Sequence, residues 1–187
     1  RKAAAGRAGD INPCIACNQA CLDFIFSNRI ATCLVNPRAC REVEFERPAP
    51  AARRRVAVVG AGPAGLACAI TAAERGHEVT LFDAAADIGG QLNLARRVPG
   101  KQEFDELLRY FRNALARTGI TLRLNTVADA DALAVGGWDR VVVATGVTPR
   151  RLDVEGVNHP SVVSYLDVLT GKATAGPRVA IIGTGGI

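Results

Sequence analysis

The chain has 187 residues, a net charge of +5, 49% hydrophobic and 22% charged residues, a balance that excludes a disordered chain and suits one sizeable buried core. The basic excess is confined, since residues 1–55 hold ten Lys/Arg against five Asp/Glu while residues 56–187 hold thirteen of each. No aromatics are interleaved near Arg53-Arg54-Arg55, so the excess reads as a solvated face or one side of a domain contact, not as a nucleic-acid interface.

Arg1–Asp10 leads into polar, cysteine-containing sequence instead of an apolar leader, so no signal peptide is read. Six cysteines without such a leader point to a reducing, cytoplasmic setting in which ligation outranks disulfides. The chain lacks methionine even at position 1, and Ile181–Ile187 stops inside a recognisable pattern. An internal segment of a longer protein is therefore expected.

Residues 1–47 read as loop-rich, with only short helical turns such as 18–26. They carry Cys14, Cys17, Cys21 and Cys33 at a C-x2-C-x3-C-x11-C spacing, which describes a cage of four thiolates. Such a cage holds either a [4Fe-4S] cluster or a zinc ion. Zinc more often sits between two facing C-x2-C knuckles, and only one is present, so the spacing favours the cluster. Ile11, Leu22, Phe24, Ile25, Phe26, Ile30 and Leu34 are candidates to wall the sulfurs from water. Cys40 and Cys68 fall outside the spacing, and Cys68 reads as a small buried hydrophobe. Arg47–Ala52, with two prolines, reads as an extended linker.

Val56–Val59 is a buried, β-branched run suited to the centre of a parallel sheet. The uncharged stretch 56–73 is not a membrane span, because Gly60, Gly62, Pro63 and Gly65 break it into strand, turn and helix. Pro63–Arg75 predicts a helix facing the core with Leu66, Ala69, Ile70 and Ala73, and Glu78–Asp83 predicts the next strand. Gly60-Ala61-Gly62-Pro63-Ala64-Gly65 is thus a G-x-G-x-x-G between strand and helix, the context that gives the pattern meaning. Gly60 permits the turn, Gly62 admits a pyrophosphate, Gly65 lets helix and strand approach, and the helix N–H groups receive the phosphates. Asp83 is placed to accept from an adenosine ribose, which favours FAD or NAD over NADP at this first site.

A second helix follows Pro99-Gly100, with Phe104, Leu107, Leu108, Phe111 and Leu115 as its core stripe. Strands are predicted at 120–125, 140–144 and 178–182, and a short helix at 165–170. Val141–Gly146 ends in a small-residue turn over which a cofactor could lie. Gly183-Thr184-Gly185 begins a second fingerprint, and two such sites in one polypeptide imply a hydride passed between two dinucleotides. His77 and His159 read as surface residues, and Tyr110 and Tyr165 as half-buried helix residues. The fold class is α/β: a loop-rich cysteine segment, a partial doubly wound, Rossmann-like FAD domain, and the start of a second dinucleotide-binding domain. The expected divisions are 1–47, 48–176 and 177–187.

Ile11–Asp23 and Cys33–Cys40 resemble the bacterial-type NADPH-dependent 2,4-dienoyl-CoA reductases, which group with trimethylamine dehydrogenase among old-yellow-enzyme-like iron–sulfur flavoproteins. The resemblance continues through Gly89–Asn93, Pro99-Gly100-Lys101, Ala144–Arg150, His159-Pro160 and Ser164–Leu169, covering essentially the whole chain. It implies an FMN-bearing barrel upstream of Arg1 and the bulk of an NADPH domain downstream of Ile187, both partners within one polypeptide. It implies an acyl-CoA substrate of fatty-acid β-oxidation and electrons passing from NADPH to FAD, to [4Fe-4S], to FMN. Cys14, Cys17, Cys21 and Cys33 would ligate the cluster. Gly60, Gly62, Ala64, Gly65, Asp83, Gln91, Lys101, Val127, Thr145 and Gly146 would line FAD, and Gly183 and Gly185 the second dinucleotide. No catalytic side chain is assigned within these residues. An amine, enone or enoate substrate on the same architecture is the alternative, and a zinc-stabilised nucleotide-binding module without redox activity is an alternative of another class.

Overall fold

The structure, a computed structural model, describes residues 1–46, 50–150 and 153–183. They form two compact units, Arg1–Val147 and Thr148–Ile187. In the first, a 3-10 turn at Ala8–Asp10 precedes α1 (Leu22–Phe26), β1 (Arg55–Val59), α2 (Pro63–Glu74), β2 (Glu78–Phe82) and α3 (Leu92–Ala95). Then come α4 (Glu103–Thr118), β3 (Thr121–Arg123), α5 (Ala130–Val135) and β4 (Arg140–Val143). The second unit carries α6 (Tyr165–Thr170).

The four strands make one parallel sheet in the order β3-β2-β1-β4. β1 lies inside it, with Val56 and Val58 opposite Val79 and Leu81 of β2 on one side and Arg140 and Val142 of β4 on the other. Strands covered on both faces need apolar residues at successive positions, and Val56, Ala57 and Val58 are all buried. Leu66, Ala69 and Ile70 of α2 and Leu107, Leu108 and Phe111 of α4 close the core, as their helical spacing predicts. Each large side chain fully buried there contributes about 1.5–3 kcal/mol of transfer free energy. Ser164 caps α6 by accepting from the Asp167 N–H, and Gly171, at φ 77°, ends it in the left-handed region.

Three expectations need correction. Tyr165, read as half-buried, is exposed on α6, a helix that buries none of its residues. Val179, Ile181 and Ile182 are exposed, and 178–182 is not a strand. A parallel strand forms only against a neighbour, and that run pairs with none among the described residues. The proposed wall around the sulfurs is also open to water: Ile11, Leu22, Ile25, Phe26, Ile30 and Leu34 are exposed, Phe26 at 83%, and Phe24 is only half-buried. α1 has five residues and buries none of them, too short an element to form its own apolar interior. The 47–49 part of the linker and the 184–187 part of the second fingerprint, Gly185 included, lie outside the described residues. Among the described residues no helix is long and apolar enough to cross a membrane.

Candidate functional site

The glycine-rich turn is built around backbone approaches. Gly60 has φ 108°, and a Cβ there would strike the Ala144 carbonyl group at the end of β4. A Cβ on Gly65 would drive into the Gly60 carbonyl oxygen, so this position sets how closely α2 approaches β1. Gly62 differs: nothing lies within 4 Å of the Cβ it lacks. That open space sits at the N-cap of a twelve-residue helix whose first turn has no acidic residue. Unpaired N–H groups at such a terminus suit a pyrophosphate. The arrangement fits a dinucleotide, and Ala64 stands exposed beside it.

Asp83 follows β2 and binds the turn from below. Its Oδ2 accepts from the Ala61 N–H at 2.5 Å and its Oδ1 from the Ala85 N–H at 2.7 Å. The carboxylate therefore holds the glycine turn in shape, and each oxygen keeps a further lone pair for a ribose hydroxyl. A second loop supports the same place. The Gly89 N–H donates to the Ala61 carbonyl at 2.8 Å, and a Cβ on Gly90 would lie 3.1 Å from the Gly62 Cα. Gly89-Gly90 reads as a loop from the sequence, and both residues have positive φ and buttress the turn.

The remaining FAD candidates divide. Gln91 is exposed and donates through Nε2 to the Val147 carbonyl at 3.0 Å, which ties the second loop to the segment after β4. Thr145 and Gly146 lie directly after β4, exposed, with Gly146 at φ 79°. Lys101 is exposed in the turn before α4, and Val127, 76% exposed, lies on the loop between β3 and α5. Gly183 lies in the second unit at φ 92°.

All six cysteines are free thiols, with Cys14 exposed and Cys17, Cys21 and Cys33 half-buried. Ala16 and Asn18 take left-handed φ values of 53° and 57°, bending the backbone sharply between the thiols. The Ala16 N–H donates to the Cys14 sulfur at 3.3 Å. Among the described residues no group of three or more His, Cys, Asp or Glu side chains is arranged to hold a metal ion. The donor set nevertheless fits an iron–sulfur cluster, whose cysteines each bind a different iron and need not crowd round one ion. Cys40 is exposed at φ 60°, while burial pushes the Cys68 thiol up, consistent with an inert packing role.

Ile15, between Cys14 and Cys17, went unread from the sequence as an anchor. It is buried and belongs to the same hydrophobic cluster as Leu66, Ile88 and Leu108. The Gly9 carbonyl accepts from Arg109 Nη1 at 3.0 Å and from Asn113 Nδ2 at 2.9 Å, and Asp10 pairs with Arg117. The thiol loop and the dinucleotide turn thus share one core. An apolar residue between two cysteines was the available signal, and the cysteines masked it.

Residues 54–187 match the family described as pyridine nucleotide-disulphide oxidoreductase. A metal reductase of Desulforamulus reducens is 39% identical over 190 residues, covering 100% of this chain and 28% of the relative. A probable N-methylproline demethylase of Rhizobium meliloti is 38% identical over 188 residues, covering 100% of this chain and 27% of the relative. The solved structure of a 2-naphthoyl-CoA reductase with 2-naphthoyl-CoA is 40% identical with a TM-score of 0.88, covering 94% of this chain and 27% of that one. The chain spans little more than a quarter of the length of these relatives. With its parallel sheet, glycine turn and open phosphate cradle, the chain belongs to the pyridine nucleotide-disulphide oxidoreductase family, whose members are flavoprotein oxidoreductases built to bind FAD and a pyridine nucleotide.

Proposed function

We propose that these residues are the electron-transfer part of an NADPH-dependent flavoprotein reductase acting on an enoyl C=C bond, with 2,4-dienoyl-CoA as substrate class. The observation that carries the proposal is the shared core: Ile15 anchors a loop of free thiols in the cluster that also packs α2, the helix opening at Gly62. Within this reading residues 1–47 are the iron–sulfur segment, 48–176 the first part of an FAD domain, and 177–187 the start of the NAD(P)H domain. When bound, the cluster would supply single-electron transfer between the two-electron chemistry of NADPH and FAD and that of an FMN elsewhere in the same polypeptide.

The chain's own residues supply binding and spacing. Cys14, Cys17, Cys21 and Cys33 would hold the cluster as thiolates. Gly60, Gly62, Ala64 and Gly65 would line the FAD pyrophosphate, and Asp83, which fixes that turn, would accept from the ribose. Gln91, Lys101, Val127, Thr145 and Gly146 would line the rest of the FAD, and Gly183 and Gly185 the pyridine nucleotide. Exposed Phe26, Ile30 and Leu34 form the surface that an FMN barrel would cover, and exposed Val141 and Val143 of β4 the one that later parts of the FAD domain would cover. The setting is cytoplasmic, with no nucleic-acid or membrane partner.

An acyl-CoA substrate is supported by the 40% identity to a naphthoyl-CoA reductase. The second reading, an amine substrate, is supported by the 38% identity to a demethylase. The mechanism within this chain is the same in both. In the full-length protein, Cys17→Ser should leave reduction of FAD by NADPH intact and abolish reduction of FMN, followed by stopped-flow absorbance. FMN reduction at the unmodified rate would overturn the proposal.

A further inference from the structure

We infer that Asn12 is a positioning residue for Cys33, the side chain that brings the remote fourth thiolate to the cage. This rests on the iron–sulfur reading above. Cys14, Cys17 and Cys21 lie within eight residues, a span that local turns alone can gather. Cys33 lies twelve positions after Cys21, beyond α1, on an arm whose own residues form neither helix nor strand.

Two hydrogen bonds hold that arm, one on each side of Cys33. The Thr32 N–H donates to the Ala20 carbonyl at 2.7 Å, next to Cys21. Asn12 Nδ2 donates to the Val35 carbonyl at 2.6 Å, joining a point two residues before Cys14 to a point two residues after Cys33. The first bond is backbone to backbone and indifferent to side-chain identity. The second depends on one amide.

The surroundings of Asn12 fit that task. Pro13 restricts Asn12 to extended backbone, which limits the conformations from which the side chain must reach. The residue is half-buried, and its Oδ1 is buried without a hydrogen-bond partner. Turning the amide over would set Oδ1 against the Val35 carbonyl and lose the bond, so the donor orientation is the one that holds the arm. A carboxylate of the same shape would put acceptor against acceptor.

The test compares the unmodified full-length protein with Asn12→Asp and Asn12→Gln, all purified anaerobically. Iron release to a chelator, the electron paramagnetic resonance spectrum of the reduced cluster, and FAD content are measured on the same samples. Asn12→Asp is expected to release iron about tenfold faster, with an altered resonance spectrum and full FAD content. Asn12→Gln, which keeps the donor one methylene further out, should fall between. Release at the unmodified rate with an unchanged spectrum would overturn the role of Asn12. Loss of FAD together with the cluster would also overturn it, since the effect would then be general unfolding. Unmodified protein that binds no iron would instead overturn the cluster reading itself.

Discussion

Gly62 and Gly65 are three residues apart in one motif, yet the structure gives them separate tasks. Gly65 is filled from outside by the Gly60 carbonyl, whereas Gly62 faces empty space. Gly65→Ala should therefore destabilise the protein by about 3 kcal/mol even without cofactor. Gly62→Ala, at an ordinary extended N-cap, should change apo stability by less than about 0.5 kcal/mol. It should still weaken FAD binding by about tenfold, because the methyl group occupies the approach of the pyrophosphate. Thermal unfolding of the apoproteins and FAD titration separate the two effects, and equal destabilisation by both substitutions would refute the distinction. The motif's spacing made all three glycines legible. Asp83 was legible only as a ribose acceptor, since nothing in the sequence shows that Ala61 and Ala85 lie within its reach.

At the scale of elements, α2, β2 and α4 appear close to where periodicity and Gly/Pro punctuation place them, because each carries enough buried residues to define its own face. The shorter pieces were less legible. α5 depends on Asp129 accepting from the Ala132 N–H, a cap that went unread because no apolar stripe accompanies it. The 178–182 run has strand composition and no strand, since pairing is a property of the neighbour as much as of the run. α4 has a second role that the sequence does not show: its outer face is the shelf for residues 9 and 10. Replacing both Arg109 and Asn113 by alanine leaves the Gly9 carbonyl without its two donors. Hydrogen exchange across residues 1–20 should then rise by an amount equivalent to about 1–2 kcal/mol, with α4 itself protected as before. Unchanged exchange in that segment would show that Ile15 and the Asp10–Arg117 pair anchor it without the Gly9 bonds.

For the molecule as a whole, the dinucleotide half of the site was more legible than the thiol half. A glycine turn between strand and helix is specified locally, and Asp83, Gly89 and Gly90 then brace what the local sequence has already formed. The cysteine spacing specifies donors and not their content, and the apolar residues around them are exposed instead of forming a wall. What the structure adds is the anchoring of the thiol loop in the core of the dinucleotide fold through Ile15 and Gly9. The proposed relay needs the thiols to carry iron, and a zinc-stabilised module does not. The direct measurement is the iron, acid-labile sulfide, zinc and flavin content of the full-length protein purified without oxygen. Expected are about four irons and about four sulfides per chain together with FAD. Stoichiometric zinc with no iron would contradict the relay.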